Sequence, residues 1–312
     1  MNDIIIQHKR GGKIRMRLFT TPKKARVLAF LALIGLVMAA YTLWARPYQL
    51  HWGATNEEVK QAIPGDESNP HLEFFATRAI TIAGTPEEIW PWLVQMGYGR
   101  VGYYGYDILE NLGSPQGIRS ADRILLEFEH FTVGDGVPIS PVADMVFHAI
   151  EPDRYIIWAG KTGVVPSSFT WALYPLDAGH TRLASRIRWS YHLAQPGLLT
   201  LDLFTEFTDH LAVRKILQGV KGRVENQIKP MAQQNIEFAV YVLAALIFLA
   251  TLLLSLIRPL AWGRWLVGLA GGSGMAHHLV RTGIDLERCW VGASCSLGAA
   301  RCIPPDLYAK TT

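Results

Sequence analysis

In HLEFFATRAITIA (His71 to Ala83), Leu72, Phe74, Ala76, Ile80 and Ile82 fall on one face and Glu73, Thr77 and Thr81 on the other. That period-two pattern predicts a half-buried strand. Arg78 interrupts the apolar face: either a bulge turns it to water, or it points inward at an acidic partner. Thr85-Pro86-Glu87-Glu88 then has the form of a capping box with proline at the first helical position, and Ile89, Leu93 and Met96 recur at helical spacing. Pro91 predicts that this helix bends or stays short. Beyond a Tyr/Gly loop, YDILENLG predicts a second short helix ending at Gly113.

Alternating runs follow. ADRILLEFEHFTVGDGVPI predicts strand, turn at Gly134-Asp135-Gly136, strand. MVFHAIEPDRYIIWAG and SSFTWALYPLDAGHTRLASRIRWSY predict two hairpins, turning at Glu151–Arg154 and Asp177–His180. In the last strand Leu183, Ile187, Trp189 and Tyr191 share one face, while Arg182, Arg186 and Arg188 share the other, which is expected in solvent. From Leu198 to Lys229 apolar positions at Leu203, Phe207, Leu211, Val213, Leu217, Val220, Val224 and Ile228 predict one long amphipathic helix, interrupted by Pro230.

Two further runs carry no period at all. VLAFLALIGLVMAAYTLW (Val27 to Trp44) and FAVYVLAALIFLATLLLSLI (Phe238 to Ile257) are uncharged, and as helices would extend roughly 27 and 30 Å, enough for a bilayer core. A cleaved signal peptide competes for the first, although no A-x-A site follows it; a buried core helix competes for the second. Lys9, Arg10, Lys13, Arg15, Arg17, Lys23, Lys24 and Arg26 precede the first run, so the positive-inside rule places both termini in the cytoplasm and the centre outside. The expected layout is a basic cytoplasmic segment (1–25), a transmembrane helix (26–45), a linker (46–70), a folded domain (71–230) and a second transmembrane helix (236–257). An interfacial or re-entrant apolar segment (258–276) and a flexible tail (277–312) complete it.

Composition agrees with an integral membrane protein, being half hydrophobic and only 18% charged. The net charge of +4 resides in the basic ends, so no nucleic-acid footprint is implied. Cys289, Cys295 and Cys302 lie together in the tail without histidines at zinc-ligand spacing, and read as reduced thiols.

Motifs for chemistry are sparse. Gly97-x-Gly-x-x-Gly102 follows a helix instead of a strand, which removes the dinucleotide reading. No nucleophile elbow or metal-ligand spacing occurs, and no cofactor is expected. Acid/base work could fall to Asp107, Glu110, Asp122 or His130 if they face an interior.

The order of these elements resembles the SRPBCC superfamily, the START-related group that includes polyketide cyclase/dehydrase-like proteins. The resemblance is carried by ITIAGTPEEIWPWLVQMG (Ile80 to Gly97), VGDGVP (Val133 to Pro138), AIEPDR (Ala149 to Arg154) and LDAGHTRL (Leu176 to Leu183); GYYGYDILENLG (Gly102 to Gly113) looks like a membrane-associated bacterial subgroup. It implies an α+β helix-grip fold, an antiparallel sheet wrapped on a long C-terminal helix, here flanked by two transmembrane helices in a bacterial plasma membrane. It also implies a cavity for a hydrophobic small molecule or lipid. The aromatic and acidic side chains expected to contact that ligand are Trp90, Tyr104, Tyr106, Asp107, Glu110, Trp158, Trp171, Trp189 and Tyr191. Three functions remain open: a membrane-anchored binding module, a cyclase/dehydrase-like enzyme, and a tethered scaffold without ligand.

Overall fold

The computed structural model describes residues 23–67, 74–111, 117, 119–140, 143–160 and 167–257. A long helix, α1 (Lys23–Ala40), passes through one π-helical turn (Tyr41–Ala45) into α2 (Arg46–Leu50), and a short α3 (Asn56–Lys60) follows. Next come β1 (Phe74–Ala83), α4 (Pro86–Val94), α5 (Asp107–Glu110), β2 (Gly136–Ser140), β3 (Ala143–Glu151), β4 (Tyr155–Gly160), β5 (Ser167–Asp177) and β6 (His180–Trp189). The described chain ends with the long α6 (Pro196–Val224) and α7 (Met231–Ile257).

The six strands form one antiparallel sheet in the order β1-β6-β5-β4-β3-β2, with α6 and α4 on one face. The first and last strands pair, and the sheet lays one face against a long helix that follows it, which is a helix-grip arrangement. Its local signals act as expected. The capping box at Thr85 forms, with the Glu88 carboxylate accepting the Thr85 amide at 2.8 Å, and α4 tolerates Pro91 within nine residues. Both expected hairpins form, at Glu151–Tyr155 and Asp177–His180.

Three expectations change. Residues 121–131 form no strand; they hold a single 3-10 turn (Leu126–Phe128), and Leu125 N–H donates to the Gln95 side chain. An apolar run there satisfies α4 and its loop instead of a sheet neighbour. Second, Arg182, Arg186 and Arg188 do not face solvent. Residues 53–66, expected as part of a linker, cover that face of the sheet, and Arg186 is only 4% exposed. Third, α6 buries only the later part of the stripe read from its apolar residues: Val213, Leu217 and Val220 are buried, but in the first half Asp202, Glu206 and His210 are buried while Leu203 and Phe207 are exposed.

By length and composition, two helical stretches could cross a membrane: Leu31–Leu50 and Met231–Thr251. Residues 1–22 and 258–312, including the three cysteines and the expected re-entrant segment, lie outside the described residues.

Candidate functional site

The face of the sheet toward α6 is built by register. Arg78, Ser185, Trp171 and Ile156 occupy successive partner positions on β1, β6, β5 and β4, so their side chains leave the same face side by side, about 5 Å apart from strand to strand. The neighbouring row is Ala76, Ile187, Phe169, Trp158 and Phe147. No bulge interrupts the β1–β6 pairing, and Arg78 therefore points inward, the second of the two alternatives open from the sequence. Its Nη1 donates to Asp209 at 2.7 Å and its Nε to the Gln49 carbonyl at 2.9 Å.

His210, completely buried on α6, meets the same carbonyl: its Nδ1 lies 2.9 Å from Gln49 O. A carbonyl only accepts, so Nδ1 carries the proton and Nε2 presents a lone pair. Burial, and then the charges of Arg78 and Arg214, push the His210 pKa down to about 3, so the ring is neutral. Asp209 is drawn the other way: burial raises its pKa against the pull of Arg78.

Five buried polar atoms on this interior have no hydrogen-bond partner among the described residues: Arg78 Nη2, Ser185 Oγ, Trp171 Nε1, Trp158 Nε1 and His210 Nε2. Buried polar groups are ordinarily paired, because leaving one unpaired costs about 1–3 kcal/mol. Here they lie along an aromatic wall: Arg78, Ser185 and Trp171 follow one another on adjacent strands, and Trp158 stands on the next strand in the neighbouring row. The rings of Trp158 and Trp171 are 5.8 Å apart, with Phe169 4.8 Å from Trp171 and edge-on to it. The set comprises donors at Arg78 and both indoles, one acceptor at His210, and a hydroxyl that serves as either.

The nine residues singled out in the sequence are not brought together. Trp158 and Trp171 line the interior just described. Trp90 is half-buried at the edge of the main core. Trp189 and Tyr191 belong to a separate cluster with Phe74, where the Tyr191 hydroxyl donates to Glu206 at 2.7 Å and accepts from Arg46. Tyr106 lies at the junction with α7: its hydroxyl donates to Glu237 at 2.6 Å, and Glu237 also pairs with Lys215 at 2.6 Å.

Tyr104, Asp107 and Glu110 instead hold the loop after α4. The Tyr104 hydroxyl donates to Trp92 O and accepts from Gln95, while the Arg223 guanidinium lies 4.1 Å from its ring centroid. Tyr104 has φ +64, and Gly219 of α6 is where its carbonyl comes closest; a side chain at 219 would collide with it. Asp107 accepts from Ser120, and Glu110 accepts the Tyr103 and Gly105 amides at 3.0 and 2.9 Å. Both carboxylates are thus occupied by the chain's own donors. Sequence reasoning missed Ser185 and His210. An unusual polar residue within an apolar strand face marked the first, and nothing local marked the second.

Glu110 carries a testable pH dependence. Burial, the leading cause, lifts its pKa from 4.5 to about 7, although the two amides oppose the shift. The folded state therefore binds this proton more tightly than the unfolded chain between those values, and stability is lost as pH rises through about 7. Unfolding of the full chain in detergent should show the wild type losing on the order of 1–3 kcal/mol from about pH 5 to 8 relative to Glu110→Gln. Parallel pH profiles for the two proteins would mean that the carboxylate is solvated.

No family model matches the chain, and no curated protein does. Solved structures similar over about half of it include the Zhui aromatase/cyclase from Streptomyces sp. R1128, with 16% identity, 50% of this chain and 96% of that one covered, and a TM-score of 0.31. A polyketide-cyclase-like protein from Corynebacterium glutamicum shares 14% identity over 50% of this chain and 93% of its own, with a TM-score of 0.30. A START superfamily protein from Mycobacterium smegmatis shares 16% over 49% and 97%, with a TM-score of 0.27. The helix-grip arrangement of this chain rests on its own strand order and on the packing of α6, and no activity carries over from these proteins.

Proposed function

We propose that this chain is a membrane-anchored binding protein for an apolar molecule with an uncharged hydroxyl, held between the sheet and α6. The observation that carries the reading is the set of five unpartnered polar atoms against the Trp158–Trp171 wall. A hydroxyl both accepts, from Arg78 or an indole, and donates, to the lone pair of His210. A carboxylate or phosphate would leave His210 Nε2 unpaired, and its charge would find Arg78 already paired with Asp209 at 2.7 Å. The two apolar helices support anchoring, with the first and second spans at 26–45 and 236–257, both termini cytoplasmic and the domain exported. A binding site held at a bilayer suits a ligand that partitions into lipid.

Enzymatic acid/base chemistry fits less well. Asp107 and Glu110 accept from the chain itself, and a histidine with a pKa of about 3 accepts a hydrogen bond readily but a proton poorly.

Native mass spectrometry of the full chain, released from lipid, should show a co-purifying neutral molecule with at least one hydroxyl. In nanodiscs, a long-chain alcohol should displace it better than the acid of equal length, with an affinity that does not change between about pH 5 and 8, because His210 stays neutral. Ser185→Ala should leave unfolding stability unchanged or slightly raised and weaken binding about five- to tenfold, the worth of one hydrogen bond. Equal affinity for alcohol and acid, or unchanged binding in Ser185→Ala, would overturn the assignment; an altered ligand in the spectrum would favour an enzyme.

A further inference from the structure

The first half of α6 is inside out. Between Leu193 and Thr208 the charged residues are Asp202 and Glu206 alone, and both are buried, Glu206 completely. The apolar side chains of the same turns point outward: Leu201 is 56% exposed and Phe204 62%. Water on that side would reverse the pattern, since a helix at an aqueous surface turns its apolar stripe to the core and its charges to solvent. Past His210 the helix again buries apolar residues, Val213, Leu217 and Val220, beside charged groups that have partners of their own: Arg214 and Lys215 meet α7, and Arg223 donates to the Ala121 carbonyl. The inversion is therefore local.

One of its buried acids, Glu206, is tied to the first apolar helix. Arg46, directly after the π-helical turn that ends α1, donates to Glu206 at 2.8 and 3.2 Å. Trp44, two residues earlier, is 75% exposed. The second apolar helix meets α6 further along: Lys215 pairs with Glu237, and Arg214 donates to Tyr241. α1 and α7 also touch. Through Glu206 and Arg46 the exposed apolar stripe thus adjoins the first of the two helices long and apolar enough for a membrane.

We infer that the first half of α6, from Leu198 to Phe207, is a membrane-contacting surface whose outward stripe sits in the acyl boundary of the bilayer. The inference rests on the anchoring proposed above. Lipid replaces water as the partner of Leu201 and Phe204, and the acids turn inward because Arg46, Tyr191 and His192 satisfy them there. This places one end of the sheet-helix interior at the lipid, beside Arg78 and His210.

The test uses the full chain with Cys289, Cys295 and Cys302 replaced by serine, a single cysteine at Phe204→Cys carrying an NBD fluorophore, and liposomes of phosphatidylcholine with phosphatidylglycerol. Leu201→Cys serves as a second position should the first fail to fold, Ala178→Cys in the β5–β6 turn as an aqueous reference, and Trp44→Cys as a reference for the anchor. Doxyl-labelled lipid should remove most of the emission at 204 and 201, and iodide little. The reverse should hold at 178. Iodide quenching at 204 and 201 overturns the inference, and lipid quenching at 44 in the same experiment shows that the anchoring stands without it. Protection from both quenchers at 204 and 201 also overturns it, since a protein surface would then cover the stripe.

Discussion

Replacing Arg78 with methionine is expected to destabilise the fold by about 3–5 kcal/mol, the usual cost of leaving a buried charge without its partner. Arg78 is 1% exposed, and its guanidinium faces Asp209 at 2.7 Å and the Gln49 carbonyl at 2.9 Å. Methionine fills a similar volume, so the loss is electrostatic more than steric. What remains is a carboxylate enclosed beneath α6, with Glu206 adding repulsion. Burial already raises the Asp209 pKa, and removal of the guanidinium raises it further. The penalty in Arg78→Met should therefore shrink as pH falls and Asp209 takes up a proton, while Arg78→Met/Asp209→Leu should regain most of the stability at neutral pH. Chemical unfolding at several pH values measures all three. A loss below about 1 kcal/mol for the single variant would show Asp209 to be neutral already, and the ion pair would have to be withdrawn.

The second large effect lies on the opposite face of the sheet. Arg186 donates to the hydroxyl of Thr77 at 2.7 Å, to the carbonyls of Gln61, Glu58 and Val59 at 2.9–3.0 Å, and to the Asp66 carboxylate. One planar guanidinium thus fastens the segment from α3 to Asp66 onto β1 and β6. Arg182 with Glu58, and Arg188 with Asp66, extend the same clasp. Arg186→Met should cost about 3–5 kcal/mol and expose the chain after Lys60 to trypsin. Arg186→Lys should recover only a small part, because a compact ammonium cannot reach carbonyls and carboxylate together. Should Lys60 stay protected and stability fall by less than about 1 kcal/mol, the two flanking arginines hold the segment without Arg186.

These two arginines also mark where reading the chain succeeded and where it stopped. Turn residues at Glu151–Arg154 and Asp177–His180 announced both hairpins, and Thr85 to Glu88 announced the start of α4, because each signal and its effect lie within a few residues. The pairing of β1 with β6 sets Arg78 opposite Ser185 over a hundred residues away, and no local pattern conveys that alignment. Asp107 and Glu110 looked available for chemistry as acids in a short helix. The amides of Tyr103 and Gly105 fold back onto Glu110 and Ser120 donates to Asp107, contacts that spacing alone does not disclose.

Hydrophobic periodicity reports a face without saying what lies against it. Arg182, Arg186 and Arg188 formed a clean polar face, and water was its natural partner until residues 53–66 were laid across it. Apolar residues usually seek a core, so the stripe Leu203, Phe207, Leu211 reads as inward; the buried positions of these turns are instead Asp202, Glu206 and His210, each with a polar partner waiting in α2 or just after β6.

From the sequence by itself came most of the elements, their order and the two long apolar helices, since propensity, capping and turn chemistry act between near neighbours; the helix-grip arrangement was legible only through the resemblance carried by a few motifs. Tertiary structure alone decided which polar groups are buried, which of them meet, and which apolar stripe is left outside. Burial and pairing are properties of contacts between distant segments, and their energies depend on the dielectric and the partner that the completed fold provides.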